Sequence, residues 1–444
     1  MRKAFVETIM QRFVSPVILL GAAIAGIASG AVVATVETQF SDASAVLNAS
    51  IKEFLEEAAL AQPSAQLSIP DIQLPDNVST YFATFAGGGA PSYNEIALEK
   101  NVLYFQRALN ERGYSPELAH LFFANGNDGQ ATVRYLDENN EQQFKSPEIP
   151  ELDGAATYEN MLGWFQSVAQ TDKNCPSFFY FTGHGAYNRE NEDNNWLILW
   201  EEAFVSVQDM AKWLEPLPAD QPFVTMMAQC YSGAFANLIY EDGDPSRPVA
   251  LQTRCGFFAT VASRPSVGCT PAVNEADYKD YSSSFFAGLT GRDRIGNTVS
   301  SADYDQDEQI SYAEAHAFAK VDEATTDWPI STVEAWLQRQ ATESQATTFF
   351  NTPIEELHLI ARPEQQYVLA SLAEKIGFDL DISYADNYLK AHPPEQNTVK
   401  EAYYKRLEME LINVGMESAI RDSGSQEQLS ALEKILGCEA STWQ

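Results

Sequence analysis

Two short stretches combine reactive residue types with unusual settings. Residues 178–187 read FFYFTGHGAY, where an apolar run ends in His184 held between Gly183 and Gly185, in a chain with five histidines. Residues 222–233 read PFVTMMAQCYSG, where a second apolar run ends in Cys230 and a turn of small residues. A thiol at a helix start has its thiolate favoured by the free N–H groups and the helix dipole. An imidazole beside it can protonate a leaving amine. The backbone N–H groups of Gly185 and Cys230 can hold the oxyanion of a tetrahedral intermediate. Without Cβ atoms, Gly183 and Gly185 allow a substrate main chain to approach and permit unusual φ values.

A second constellation is DYDQDEQISYAE at 303–314. Asp303, Asp305, Asp307, Gln309, Ser311 and Glu314 occupy positions 1, 3, 5, 7, 9 and 12 of an EF-hand-type calcium loop, which wraps a hard cation in oxygen ligands. Glu308 stands at the sixth position, where glycine normally makes the sharp turn. A solvated acidic turn capped by Ser311 is the alternative. The other histidines, His120, His316, His358 and His392, lack such a setting and are expected on the surface or in packing roles.

These residues need a scaffold. From residue 79, apolar runs of strand length (TYFATFAG, AHLFFANG, FFYFTG, WLILW, PFVTMMAQ, GFFATVAS) alternate with helical-period segments. That alternation predicts an α/β domain, a three-layer α-β-α sandwich around a mainly parallel sheet. Met226 and Met227 read as core. In such a sheet reactive groups gather at the carboxyl edge, so His184 and Cys230 emerge together if their strands are neighbours. After about 345 the strand runs stop and the pattern is helical. The expected organisation is an N-terminal hydrophobic segment (1–36), a linker (37–78), the α/β domain (79–345) and a helical C-terminal region (346–444).

Composition narrows the function. The 444 residues carry 62 Asp+Glu against 28 Lys+Arg, a net charge of −34, which argues against nucleic acid as a partner because a phosphate backbone needs a basic footprint. The five cysteines include no Cys-x-x-Cys pair, so a structural zinc site is not expected. Cys255 and Cys269 are a candidate disulfide in an oxidising compartment, and Cys175 and Cys438 read as incidental thiols. Residues 13–36 are uncharged behind Arg2, Lys3 and Arg12, and a helix of that length rises roughly 36 Å, enough to span a bilayer. The expectation is a membrane-anchored protein facing the extracytoplasmic side, or a secreted one if the segment is cleaved.

An apolar strand ending in His-Gly, followed by one ending in Gln-Cys, resembles the caspase/legumain group of cysteine peptidases, and bacterial legumain-like members most. QCYSG is similar to the caspase Gln-Ala-Cys-x-Gly signature with one residue fewer. Residues 86–128 look like the first-strand loop, helix and second strand of legumains, and GFFATVASRPS (256–266) like their strand and substrate loop. The resemblance implies an endopeptidase acting on protein or peptide substrates, with Cys230 as nucleophile, His184 as acid and Ser263, Arg264 and Ser266 in the substrate pocket. It also supports a calcium loop at 303–314. Legumains place an Arg-His pair where this chain has Ile96 and Ala97, beside Glu95 and Glu99. No arginine is visible there to hold an acidic side chain, so a neutral or basic residue before the scissile bond is expected at least as much as an acidic one. A transamidase using the same dyad and an inert binding module on the same scaffold are the alternatives. By analogy with legumain, the C-terminal helices would cap the cleft or bind a partner.

Overall fold

The computed structural model describes residues 68–76, 78–171, 175–391 and 394–443. The hydrophobic segment 13–36, most of the linker, and His392 lie outside them. Among the described residues no helix is long and apolar enough to cross a membrane. This finding runs against the membrane-anchored, extracytoplasmic location expected above, and that expectation is corrected accordingly.

The first half of the fold supplies β1 (Tyr81–Gly87), α1 (Ile96–Glu111), β2 (Ala119–Phe123), the hairpin β3 (Val133–Leu136) and β4 (Gln142–Lys145), α2 (Tyr158–Gln170) and β5 (Ser177–Ala186). A second hairpin, β6 (Trp196–Leu199) and β7 (Ala203–Ser206), leads into α3 (Val207–Leu214), β8 (Phe223–Ala228), β9 (Arg254–Phe258), α4 (Tyr281–Thr290) and α5 (Tyr312–Asp322). The short β10 (Ile330–Ser331) runs into α6 (Thr332–Gln340). Then follow α7 (Glu343–Asn351), α8 (Ile354–Ile360), α9 (Pro363–Ile376), α10 (Tyr384–Lys390), α11 (Val399–Ser423) and α12 (Gln426–Glu439).

The central sheet has the order β10-β9-β8-β5-β1-β2, parallel except for β10. Its strands are mostly apolar because helices cover both faces. Side chains alternate between them. Phe82, Phe178, Tyr180, Val224 and Met226 pack with α1 and α4, whereas Phe85, Phe179, Phe181, Phe223 and Met227 pack with α2 and α3. The two methionines thus enter opposite halves of the core. From β1 the chain moves outward to β2, and from β5 it moves the other way to β8, so the winding direction reverses between β1 and β5. Open α/β sheets bind ligands at the carboxyl ends of the strands flanking such a reversal.

Residues 69–444 form one compact unit, and the C-terminal helices are built into it. Arg406 of α11, fully buried, donates to the carbonyl oxygens of Lys320 (3.0 Å), Glu323 (2.7 Å) and Asp327 (2.8 Å), which wrap the chain leaving α5 around its guanidinium. Buried Lys320 pairs with Glu334 and with Glu410 of α11. A disulfide joins Cys255 of β9 to Cys438 of α12. This corrects two expectations: Cys255 does not pair with Cys269, and Cys438 is not incidental. The physical reason is direction. Cys255 points into the same core face that α12 covers, whereas Cys269 lies where β5 leaves the parallel sheet, with its sulfur 3.8 Å from the Gly183 carbonyl. Among the other histidines, His316 is buried between Tyr281 and Glu334, and His120 and His358 lie near Asp153 and Glu355.

Candidate active site

Strand β5 keeps both of its sheet partners almost to His184. Its pairing with β8 ends at Thr182↔Ala228 and with β1 at Gly183↔Gly87. From His184 to Ala186 it leaves the parallel sheet and pairs with β6 instead. Cys230 follows two residues after the end of β8. Adjacent strands lie about 4.8 Å apart, so His184 and Cys230 share the carboxyl rim of neighbouring strands. The backbones are closer still: a Cβ on Gly185 would stand 2.1 Å from the Cys230 carbonyl oxygen, and one on Gly183 would stand 2.6 Å from that of Gly87. Neither glycine has positive φ. They are required because neighbouring chain passes at van der Waals distance, a different reason from the unusual φ expected from sequence.

The turn after Cys230 is tight. Tyr231 takes φ 61° and donates its N–H to the Arg264 carbonyl at 2.8 Å, before a 3-10 helix over Ser232–Ile239. Arg264 lays its guanidinium over the Trp328 ring at 4.1 Å, and Ser263 is exposed. Ser266 touches the thiol: its N–H donates to Cys230 Sγ at 3.3 Å. The Ser266 hydroxyl in turn donates to Asp327 at 2.5 Å, and the same carboxylate receives the N–H of Val267 at 3.1 Å. Burial pushes the Cys230 thiol up, and the Ser266 N–H offsets this only in part while Asp327 adds to it. The thiolate favoured by a helix start, as expected from sequence, is therefore not what this environment selects.

His184 is four-fifths enclosed. Its Nε2 lies 3.0 Å from Glu95 Oε2, and Tyr93 packs edge-on against its ring at 5.2 Å. Glu95 Oε1 takes Arg134 at 2.5 Å. Burial alone would raise the Glu95 pKa, but His184 and Arg134 together hold it below the ordinary carboxylate value. Ile96 and Ala97 are buried in α1. Sequence reasoning missed the roles of Glu95, Asp327 and Cys269. Only Glu95 left a trace, as an acidic residue just before the helix that follows the first strand.

Two groups of side chains have metal-ligating geometry among the described residues. One is Glu95, His184 and Cys269. The other is Asp303, Asp305 and Asp307, three of the six expected loop ligands. Their carboxylates also accept N–H groups of the turn, Asp303 from Asp307 and Glu308 and Asp307 from Gln309. Glu308 reaches the tight turn at φ 69° without being glycine. Ser311 and Glu314 form the capping box of α5, and Glu314 also receives the Tyr304 N–H. The three aspartates fit a hard cation; Glu314 is engaged by the helix start. No known family model matches the chain, and no curated protein matches it.

Proposed function

We propose that this protein is a cysteine endopeptidase of the caspase/legumain kind. The reading rests on one observation: an imidazole and a thiol end adjacent parallel strands on the same rim, beside the reversal in winding direction. Cys230 attacks the scissile carbonyl, its proton passing to solvent or to His184 as the C–S bond forms. The N–H groups of Cys230 and Gly185 hold the oxyanion. His184, oriented by Glu95, protonates the departing amine, and water then cleaves the thioester. Because burial disfavours the free thiolate, substrate binding and the nearby imidazole must supply its stabilisation.

Ser266 would set the register of the substrate loop, with Ser263 and Arg264 flanking the bound peptide. Glu95 and Asp327 give the site an acidic character, which favours a neutral or basic residue before the scissile bond. A calcium ion on Asp303, Asp305 and Asp307 would stiffen the loop leading into α5.

Cleavage of a peptide library by the wild-type protein, with Cys230→Ala and His184→Ala as controls, tests the reading. Cleavage lost in both variants supports it. Equal cleavage by the Cys230→Ala variant ends it.

A further inference from the structure

The Glu95–His184 pair has a third neighbour that the proposed reaction does not use. The sulfur of Cys269, an imidazole nitrogen of His184 and a carboxylate oxygen of Glu95 all lie within 4.8 Å of one another. We propose that Glu95, His184 and Cys269 bind a zinc-class ion, and that the bound ion shuts the peptidase site.

Ligand chemistry selects the metal class. A thiolate, an imidazole and a carboxylate together suit borderline-soft divalent ions such as Zn2+; calcium and magnesium take oxygen. Three protein ligands with a fourth position left for water form a tetrahedral set. With bonds of about 2.0–2.3 Å, ligand atoms around tetrahedral zinc stand roughly 3.3–3.8 Å apart. The His184–Glu95 separation of 3.0 Å is close to that spacing, and small side-chain rotations bring the sulfur in.

The surroundings suit the role. Arg134 fixes Glu95 through Oε1, which leaves Oε2, the atom facing His184, for the ion. Such outer partners orient metal ligands. Cys269 as a residue is exposed, but its sulfur is tucked in, 3.8 Å from the Gly183 carbonyl, and burial and the nearby Glu95 carboxylate push its thiol well up, so the ion has to displace that proton to bind. Binding releases the Cys269 thiol proton and the proton shared by His184 and Glu95 to solvent, with no change in oxidation state. Nε2 is the nitrogen that faces Glu95 and would hold the ion, so with the metal bound the ring cannot become an imidazolium, and the Nδ1–H it keeps is too weak an acid to protonate a leaving amine.

The consequence for catalysis rests on the peptidase reading; the metal site does not, and the experiment separates them. The full chain, stripped with chelator, is titrated with Co2+ and then Zn2+. One equivalent of Co2+ should give a thiolate-to-metal charge-transfer band in the near ultraviolet with tetrahedral visible bands, and Zn2+ should displace it. Cys269→Ser should abolish the charge-transfer band, and Glu95→Gln should weaken Zn2+ binding by more than about tenfold. Cys230→Ala should keep both. A band that survives Cys269→Ser but disappears in Cys230→Ala overturns the assignment, as does the absence of one-equivalent binding. In the peptidase assay, Zn2+ should inhibit the wild type and much less the Cys269→Ser variant; activation by Zn2+ would overturn the off-switch. If no peptide is cleaved at all, the peptidase reading fails while the Co2+ spectrum still decides the metal site.

Discussion

Oε2 of Glu95 lies 3.0 Å from Nε2 of His184 while Oε1 of the same carboxylate holds Arg134 at 2.5 Å. One buried carboxylate therefore fixes the imidazole from one side and is itself fixed from the other. Glu95→Gln keeps the shape but removes the charge. The kcat of the proposed peptidase should fall on the order of 10–100-fold with KM little changed, the pattern of a positioning residue. The pH dependence has a definite sign. The folded pKa of Glu95 is depressed, so its contribution to stability is present above the unfolded value of about 4.3 and is lost as pH falls through the folded one. Acid unfolding followed by circular dichroism should be shallower below about pH 4.3 for the Gln variant. Identical acid limbs would mean that the pair carries no charge interaction.

The environment of Cys230 makes a second prediction. Its thiol is raised by burial and by Asp327, so alkylation should accelerate about tenfold per pH unit through neutrality and level off only above about pH 9. Asp327→Asn removes a negative charge and should move the profile to lower pH. Peptide mapping by mass spectrometry separates Cys230 from Cys175 and Cys269. A plateau already reached at pH 7 would show that the free protein stores a thiolate after all.

What the sequence made legible follows from range. Strands β1, β5 and β8 were readable because burial on both faces leaves an unbroken apolar run, and their ends marked His184 and Cys230. Glu95 reaches His184 across 89 positions, and Ser266 reaches Asp327 across 61. No local pattern encodes either meeting, since each depends on where separate elements dock. The same holds for Cys255, whose partner is set by the face of β9 that α12 covers and not by spacing. The aspartates at 303, 305 and 307 were legible because a loop of alternating ligands is a local code. Glu314 fits that code and also the capping box, and its carboxylate serves both, Oε2 accepting from Ser311 at the helix start and Oε1 from the Tyr304 N–H of the loop.

The disulfide closes a separation of 183 residues. In the chain-entropy account, a loop of this size stabilises the fold by about 5 kcal/mol, the upper end for such bonds. Urea unfolding of the Cys255→Ala/Cys438→Ala variant should shift the midpoint down and steepen the slope, because the denatured chain without the cross-link exposes more surface. Cys269→Ser should not shift it. An equal effect from Cys269→Ser would contradict the pairing.

Arg406 supplies the last prediction, because it connects the C-terminal helices to Cys230. Its donors hold the carbonyl oxygens of Lys320, Glu323 and Asp327, and the Glu323 carboxylate lies 3.7 Å away. Asp327 in turn holds Ser266, whose N–H touches Cys230. Arg406→Met leaves a buried carboxylate and several carbonyls without their donor, which should destabilise the fold by about 3–5 kcal/mol. Arg406→Lys keeps a charge but cannot reproduce the fork, so it should stay folded at low temperature with a smaller loss. The diagnostic measurement is activity of the Lys variant where circular dichroism shows it fully folded. If Arg406 only stabilises, that activity is wild-type. If it positions the 323–328 segment under the substrate loop, kcat/KM falls and the alkylation profile of Cys230 shifts as well. The same chain of contacts means that removing residues 346–444 should cost folding, so a truncated chain cannot report on capping; point variants at Arg406 can.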